Sequence, residues 1–279
     1  WQDIISVMGD RTPDYVYRRL SSAYEQQHGF PPAAEEEEVR RGAKDKYSLL
    51  AEIHDQLQPS FYLEIGVQKG TSLGLAACKS VGVDPMPQLK TTLPATAELV
   101  VQTSDEFFRQ TAPKMLSESP DLVMIDGMHL FEYALRDFIN VEKYAKPWTL
   151  VLIDDVFPCH PVQAARRRRT RTWTGDVWKL YEALQEHRPE LYYLPLDVSP
   201  TGLLLIAGLD AGNATLEVEY ERLRARYSVD MDPTDEYLER SRTHSPDEPI
   251  LKAILDHLRT LRGKPFSPSE LVEALNECE

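Results

Sequence analysis

Three carboxylates stand out because each follows directly on a short apolar run. Asp126 closes Asp121-Leu122-Val123-Met124-Ile125, and Asp154 and Asp155 close Thr149-Leu150-Val151-Leu152-Ile153. If the two runs lie side by side, the three acids converge. Carboxylates held together repel and raise one another's pKa unless a cation balances them. An all-oxygen set suits Mg²⁺, a hard ion that keeps several of its waters. Asp126, Asp154 and Asp155 are therefore the expected metal ligands. The competing reading is a structural network, with Asp154 capping a helix or binding a backbone amide. His129, three residues past Asp126, is the obvious general base near pH 7; its alternative role is to orient a loop or a carboxylate.

A second set begins at Glu64-Ile65-Gly66-Val67-Gln68-Lys69-Gly70-Thr71-Ser72, after the apolar run from Phe61. Glycines at 66 and 70 let the backbone approach a ligand with no Cβ in the way. Asp84 ends the next run, Val81-Gly82-Val83. A carboxylate there can accept both hydroxyl hydrogens of a ribose. A dinucleotide would want glycine where Glu64 stands, so that its pyrophosphate meets bare amides. Glu64 instead suits a ligand with a cationic, phosphate-free end. S-adenosylmethionine, with its α-amino group and sulfonium, has one.

The elements that must position these residues are short strands alternating with helices. Strands are expected at 61–66, 81–85, 99–102, 121–126 and 149–155. The segment 71–81 has helical composition, and Leu135, Phe138, Ile139 and Val141 recur at helical spacing within 133–144. Strands apolar on both faces indicate a parallel sheet covered by helices on each side. Two further runs, 191–196 and 202–208, are joined so closely that they suit an antiparallel hairpin.

At the N-terminus, residues 1–30 read as helical (Tyr15, Tyr17, Leu20, Tyr24). The run Glu35-Glu36-Glu37-Glu38 is expected to open a second helix as a solvated first turn, with Tyr47, Leu49, Leu50, Ile53 and Leu57 on its apolar face. Beyond 212 the chain is polar and helical, and Ser267-Pro268-Ser269-Glu270 reads as a capping box. This divides the chain into helical ends at 1–58 and 213–279 around a catalytic, cofactor-binding unit at 59–212.

Taken together, Glu64-x-Gly66-x-x-x-Gly70, Val81-Gly82-Val83-Asp84-Pro85, Ser104-Asp105-Glu106-Phe107-Phe108, the stretch Asp121–His129, Asp154-Asp155-Val156 and Trp173-Thr174-Gly175-Asp176-Val177-Trp178-Lys179 resemble class I S-adenosylmethionine-dependent methyltransferases. The branch is that of small-molecule O-methyltransferases, some of which act on antibiotic sugars. The resemblance covers about residues 60–210. It implies a Rossmann-like α/β fold, with a seven-stranded, mostly parallel sheet whose last strand is antiparallel. It also implies that Glu64 and Gly66, with Gly70 and Thr71 in the same turn, line the methionine end of the cofactor. Asp84 would hold the ribose, and Ser104 and Asp105 would lie near the adenine. Asp105 has the alternative role of helix N-cap. Asp126 would serve both cofactor and chemistry, alongside His129. The sugar-methylating relatives carry a second acid two residues after the first. Met128 stands there in this chain, a departure that bears on the base and on a sugar acceptor.

Bulk properties narrow the partners. The 45 acidic and 31 basic residues leave a net charge of −14, so the average field repels nucleic acid. Arg166-Arg167-Arg168-Arg169 with Arg171 runs against that average, either as a solvated loop paired with acids or as a catcher of an anionic substrate. Trp173 and Trp178 suit either core packing or a ring of the substrate. Cys78, Cys159 and Cys278 have no metal-like spacing and favour a reducing, cytoplasmic setting. No apolar run is long enough to span a bilayer, and the first residues do not read as a secretory signal.

The expected function is O-methylation of a small polar acceptor, anionic or a sugar, with S-adenosylmethionine and Mg²⁺ as cofactors. N-methylation is the enzymatic alternative. A non-catalytic module of a larger assembly is the other, since the chain starts without Met. The helical ends are candidates for covering the site, setting the acceptor or forming a homo-oligomer.

Overall fold

The computed structural model describes residues 33–278; the helical reading of 1–30 lies outside them. The apolar runs pair as β1 (Phe61–Ile65), β2 (Lys79–Val83), β3 (Ala97–Val100), β4 (Leu122–Ile125), β5 (Leu150–Asp154), β6 (Tyr192–Leu196) and β7 (Leu203–Ala207). They form one sheet of order β3-β2-β1-β4-β5-β7-β6. Strands β1 to β5 are parallel, and β7 enters antiparallel between β5 and β6. This is the Rossmann-like, seven-stranded, mostly parallel arrangement that the motifs imply, and the close link from β6 to β7 makes the expected hairpin.

Register sets the function-bearing edge. Ile65 lies opposite Val83 and Ile125, Val83 opposite Val100, and Ile125 opposite Ile153. One residue further on, Asp84, Gly66, Asp126 and Asp154 therefore stand at one level across four adjacent strands, each about 4.8 Å from the next.

Alternation along the strands divides the core. Leu63, Ile65, Val123, Ile125, Val151 and Ile153 face one side, while Tyr62, Met124, Leu150 and Leu152 face the other. The helices are α1 (Lys46–Leu57), α2 (residues 104–115), α3 (Phe131–Glu142), α4 (Trp178–His187), α5 (Thr215–Tyr227), α6 (Asp235–Glu239), α7 (Pro249–Leu261) and α8 (Pro268–Asn276). Helices α2 to α5 cover the first face; α1, α7 and α8 cover the second. The C-terminal segment thus shares the core of the sheet, with Leu251, Ile254, Leu255, Leu258, Leu271 and Leu275 buried. Ser267 caps α8 in the expected box, with Pro268 at its first position and Glu270 closing it. No helix among the described residues is long and apolar enough to cross a membrane.

Three expectations need correction. The segment 71–81 is not a helix: it makes one 3₁₀ turn at Leu73–Leu75, and β2 starts at Lys79. Only residues 66–78 separate β1 from β2, and Gly82 brings the turn flat onto the strand, since a Cβ there would lie 2.4 Å from Leu73 Cδ2. The glutamate run does not open α1. It forms a separate 3₁₀ turn at Glu35–Glu38, and α1 begins at Lys46 behind its own cap, Asp45, which accepts from the amides of Tyr47 and Ser48. Between them Gly42, at φ +133°, passes so close to Val198 and Ser199 that no Cβ fits, and Lys44 and Asp45 pair with those two residues. The third strand lies two residues earlier than its apolar run suggests, leaving Val101 exposed beyond its end.

Candidate active site

The carboxyl edge brings Asp126 and Asp154 together as expected, and adds a residue the motif reading missed. The Lys46 ammonium donates to Asp126 Oδ2 at 2.9 Å and makes a shorter contact with Asp154 Oδ2. Its place follows from the helix. Leu49, Leu50, Ile53 and Leu57 form the buried stripe of α1, and Lys46 continues that stripe one turn back, over the end of the sheet. The sequence signal was a lysine at the head of an apolar stripe.

The electrostatics are tightly coupled. Burial alone would lower the Lys46 pKa, but Asp126, Asp154 and Asp155 outweigh it and raise it well above the ordinary lysine value. Burial would raise Asp126, yet Lys46 and His129 hold it below the usual carboxylate range. Burial, with Asp155 and Asp126 adding to it, pushes Asp154 up to about 8. Asp155 is raised too, again chiefly by burial.

Asp155 leaves the strand in the left-handed region, at φ +63°, and its carboxylate meets His129 Nδ1 at 3.1 Å. The same nitrogen lies 2.8 Å from the Trp173 carbonyl, while Nε2 is 3.5 Å from Asp126 Oδ1. The imidazole stacks on Trp173, with centroids 5.2 Å apart and planes 10° from parallel. Trp173 thus packs on the candidate base, and Trp178 is core. Asp126, His129 and Asp155 bring one ligand atom each within 4.8 Å of one another, a grouping that differs from the expected Asp126, Asp154 and Asp155. With the ammonium between Asp126 and Asp154, the expected all-acid set does not fit a divalent ion.

Glu64 is fully buried beneath the glycine turn. Its carboxyl accepts from Tyr62 Oη at 2.8 Å and Ser72 Oγ at 2.5 Å, and burial pushes its pKa up to about 8. Gly66, at φ +93°, owes its lack of a Cβ to the next loop, because a Cβ would lie 2.0 Å from the Asp126 carbonyl. At Gly70 the added atom would meet Leu89 Cδ2 at 2.9 Å. The segment carrying Leu89 lies along the turn, with the Gln88 and Lys90 amides donating to the Gln68 and Lys69 carbonyls. Thr71 stands half-buried where the 3₁₀ turn begins. Asp84 ties the two loops together, accepting from the Gln68 amide at 2.8 Å and the Met86 amide at 2.7 Å.

Ser104 opens α2, but its cap is Thr103, not Asp105. Thr103 and Glu106 exchange the reciprocal hydrogen bonds of a capping box. Asp105 is instead held by both arms of Arg136, at 2.9 and 2.8 Å. Thr103→Ala is expected to cost about 1 kcal/mol in urea unfolding; no loss would mean that α2 is held by its packing alone.

The arginine run is anchored at its start. Arg166 pairs with Glu132 at 2.7 Å and with buried Asp176 at 2.5 Å, and Asp176 also receives the Phe131 amide and the buried Lys179 ammonium. Arg168 folds back onto the carbonyls of Thr170 and Arg171. Glu38 is not merely solvated: it accepts from the Arg171 and Thr172 amides, which outweigh its burial and lower its pKa. Arg167, Arg169 and Arg171 are exposed. Arg240, also missed, is buried in the left-handed region and gathers the carbonyls of Phe157, Val198 and Pro200. It fixes the segment that follows Asp155. No signal local to Arg240 marks it, since its partners come from distant loops. The three cysteines are free thiols.

Residues 63–156, about a third of the chain, match a family model described as a methyltransferase domain. The match spans β1 to the loop after β5 and so contains Glu64, Gly66, Asp84, Asp126, His129, Asp154 and Asp155. No curated protein sequence matches the chain. Among solved structures, it is similar to an O-methyltransferase from Bacillus cereus in complex with SAH (13% identity, TM-score 0.46, 75% of this chain and 96% of that one). It is similar also to a methyltransferase from Podospora anserina bound to SAH (15%, 0.45, 71% and 97%). A third is an O-methyltransferase from Streptomyces achromogenes involved in tomaymycin synthesis, in complex with SAM (15%, 0.44, 73% and 93%).

Proposed function

We propose that this chain is an S-adenosylmethionine-dependent methyltransferase that methylates a hydroxyl oxygen of a small polar acceptor. The observation that carries the reading is the common level of Asp84, Gly66, Asp126 and Asp154 at the carboxyl edge of the sheet, where open α/β sheets bind ligands. The methyltransferase-domain match covers that same edge.

In this reading Glu64, Gly66, Gly70 and Thr71 hold the methionine end of the cofactor. Asp84 takes the ribose hydroxyls, Ser104 and Asp105 lie toward the adenine, and Asp126 borders the reacting centre. When bound, the cofactor would supply an electrophilic methyl group for the acceptor oxygen. His129 Nε2 takes the hydroxyl proton as that oxygen attacks. Asp126 and Asp155, facing opposite sides of the ring, stabilise the imidazolium that forms. The exposed Arg167, Arg169 and Arg171, on the loop that carries Trp173, favour an anionic acceptor over a neutral one.

Calorimetry with S-adenosylhomocysteine tests the reading. The intact chain is expected to bind, and Asp84→Ala to weaken binding by about tenfold or more, the loss of one charge-assisted hydrogen-bond pair. Absence of binding to the intact chain would favour a non-catalytic module that keeps the fold.

A further inference from the structure

We propose that the Lys46 ammonium is the resident cation of this site, occupying the place of a divalent metal and holding Asp126 in position beside His129. The inference rests on the methyl-transfer reading above. It makes Lys46 a positioning residue, acting through Asp126.

Geometry is the first argument. One Nζ bonds to carboxylates at the ends of two neighbouring strands, Asp126 just past β4 and Asp154 closing β5. These are two of the three acids that a divalent ion would need. A metal bound there would meet the ammonium as a like charge in a pocket poorly screened by water. The oxygens that Lys46 leaves over are Asp126 Oδ1, Asp154 Oδ1 and those of Asp155. The Asp126 and Asp155 carboxylates face His129, whose Nδ1 is engaged by Trp173 and Asp155. A small ion that demands near-octahedral oxygen ligands finds no such shell in that arrangement.

The position of Lys46 in its helix is the second argument. It is the first residue of α1, where the helix dipole disfavours a cation. The side chain is also largely withdrawn from water. Neither cost is needed for packing, since Leu49, Leu50, Ile53 and Leu57 already seat the helix on the sheet. What the lysine gains there is the acid pair, and what the acid pair gains is a counter-ion covalently fixed to the fold.

The consequence is a cluster that carries its own cation before any ligand arrives. Its test uses Mn²⁺ alone as probe, titrated calorimetrically into the full chain and into Lys46→Met, with S-adenosylhomocysteine titrated separately into the same samples. The intact chain is expected to bind Mn²⁺ no more tightly than millimolar. Lys46→Met, which keeps the length of the side chain and removes its charge, is expected to gain at least about tenfold in Mn²⁺ affinity. Mn²⁺ should then raise the melting temperature of the variant and leave that of the intact chain unmoved. Micromolar Mn²⁺ binding to the intact chain that Asp126→Asn removes would overturn the proposal. So would a folded Lys46→Met with no gain in metal affinity. If Lys46→Met does not fold, the titration of the intact chain alone decides. The S-adenosylhomocysteine heats report on the methyl-transfer reading, so the two can fail separately.

Discussion

His129→Gln is expected to lower kcat by about 10²–10⁴-fold, the usual contribution of a positioned general base, while S-adenosylhomocysteine affinity stays within about threefold. The size of the effect follows from how the imidazole is held. A carbonyl oxygen can only accept, so the 2.8 Å approach of Nδ1 to Trp173 O places the ring proton on Nδ1. The neutral ring then carries its lone pair on Nε2, the nitrogen that faces Asp126 Oδ1 at 3.5 Å. A proton taken up at Nε2 is met by one carboxylate at once, while Asp155 balances the other side of the ring. Glutamine keeps polarity and reach but cannot take the proton. A loop-orienting role gives a different result: a lower melting temperature and a raised KM with kcat retained, because the stack on Trp173 would be lost. The readout is steady-state kinetics with a hydroxyl acceptor found by screening, together with a thermal melt. Retained kcat would move the base elsewhere.

The sheet was legible because its strands are apolar on both faces, a pattern that needs no knowledge of distant contacts. Asp126, Asp154, Asp155 and His129 were legible for a related reason, since residues at the ends of such strands must meet at one edge. Lys46 was not, because its role depends on which face of α1 lies on which face of the sheet. The helix expected at 71–81 failed on chain length and on the contact that Gly82 makes with Leu73. Composition said helix, but the second face of the sheet already had its cover in α1, α7 and α8. The glycines at 66 and 70 were read as room for a ligand. At 66 the space is used by the Asp126 loop, and at 70 by Leu89. The sequence marked where small residues were required without saying what approached them. Glu38, and Asp105 in its alternative role as a cap, were misread for the same reason: each finds its partner far along the chain, in the arginine loop and in Arg136.

Glu64→Gln is expected to make the protein more stable, and increasingly so as pH rises. Burial raises the Glu64 pKa from an ordinary 4.5 to about 8 in the folded chain, despite hydrogen bonds from Ser72 and Tyr62 that favour the charged form. Between pH 4.5 and 8 the folded state therefore holds a proton that the unfolded state has released. Stability falls with pH wherever the folded state binds more protons. The Glu64 contribution is thus undiminished below the unfolded value, declines through neutrality and levels off above the folded one. Glutamine does not titrate, keeps the shape, and can still accept one of the two hydroxyl hydrogens. In urea unfolding, variant and wild type should differ little near pH 5, and the variant should lead by a few kcal/mol, roughly 2–4, at pH 8. A difference that stays flat with pH would mean that Glu64 titrates in the ordinary carboxylate range. If Glu64 also faces the cationic end of the cofactor, the more stable variant binds S-adenosylhomocysteine less tightly than wild type. A strained carboxyl kept at the cost of stability is the trade expected of a binding residue, whereas a purely structural Glu64 would leave the affinity unchanged.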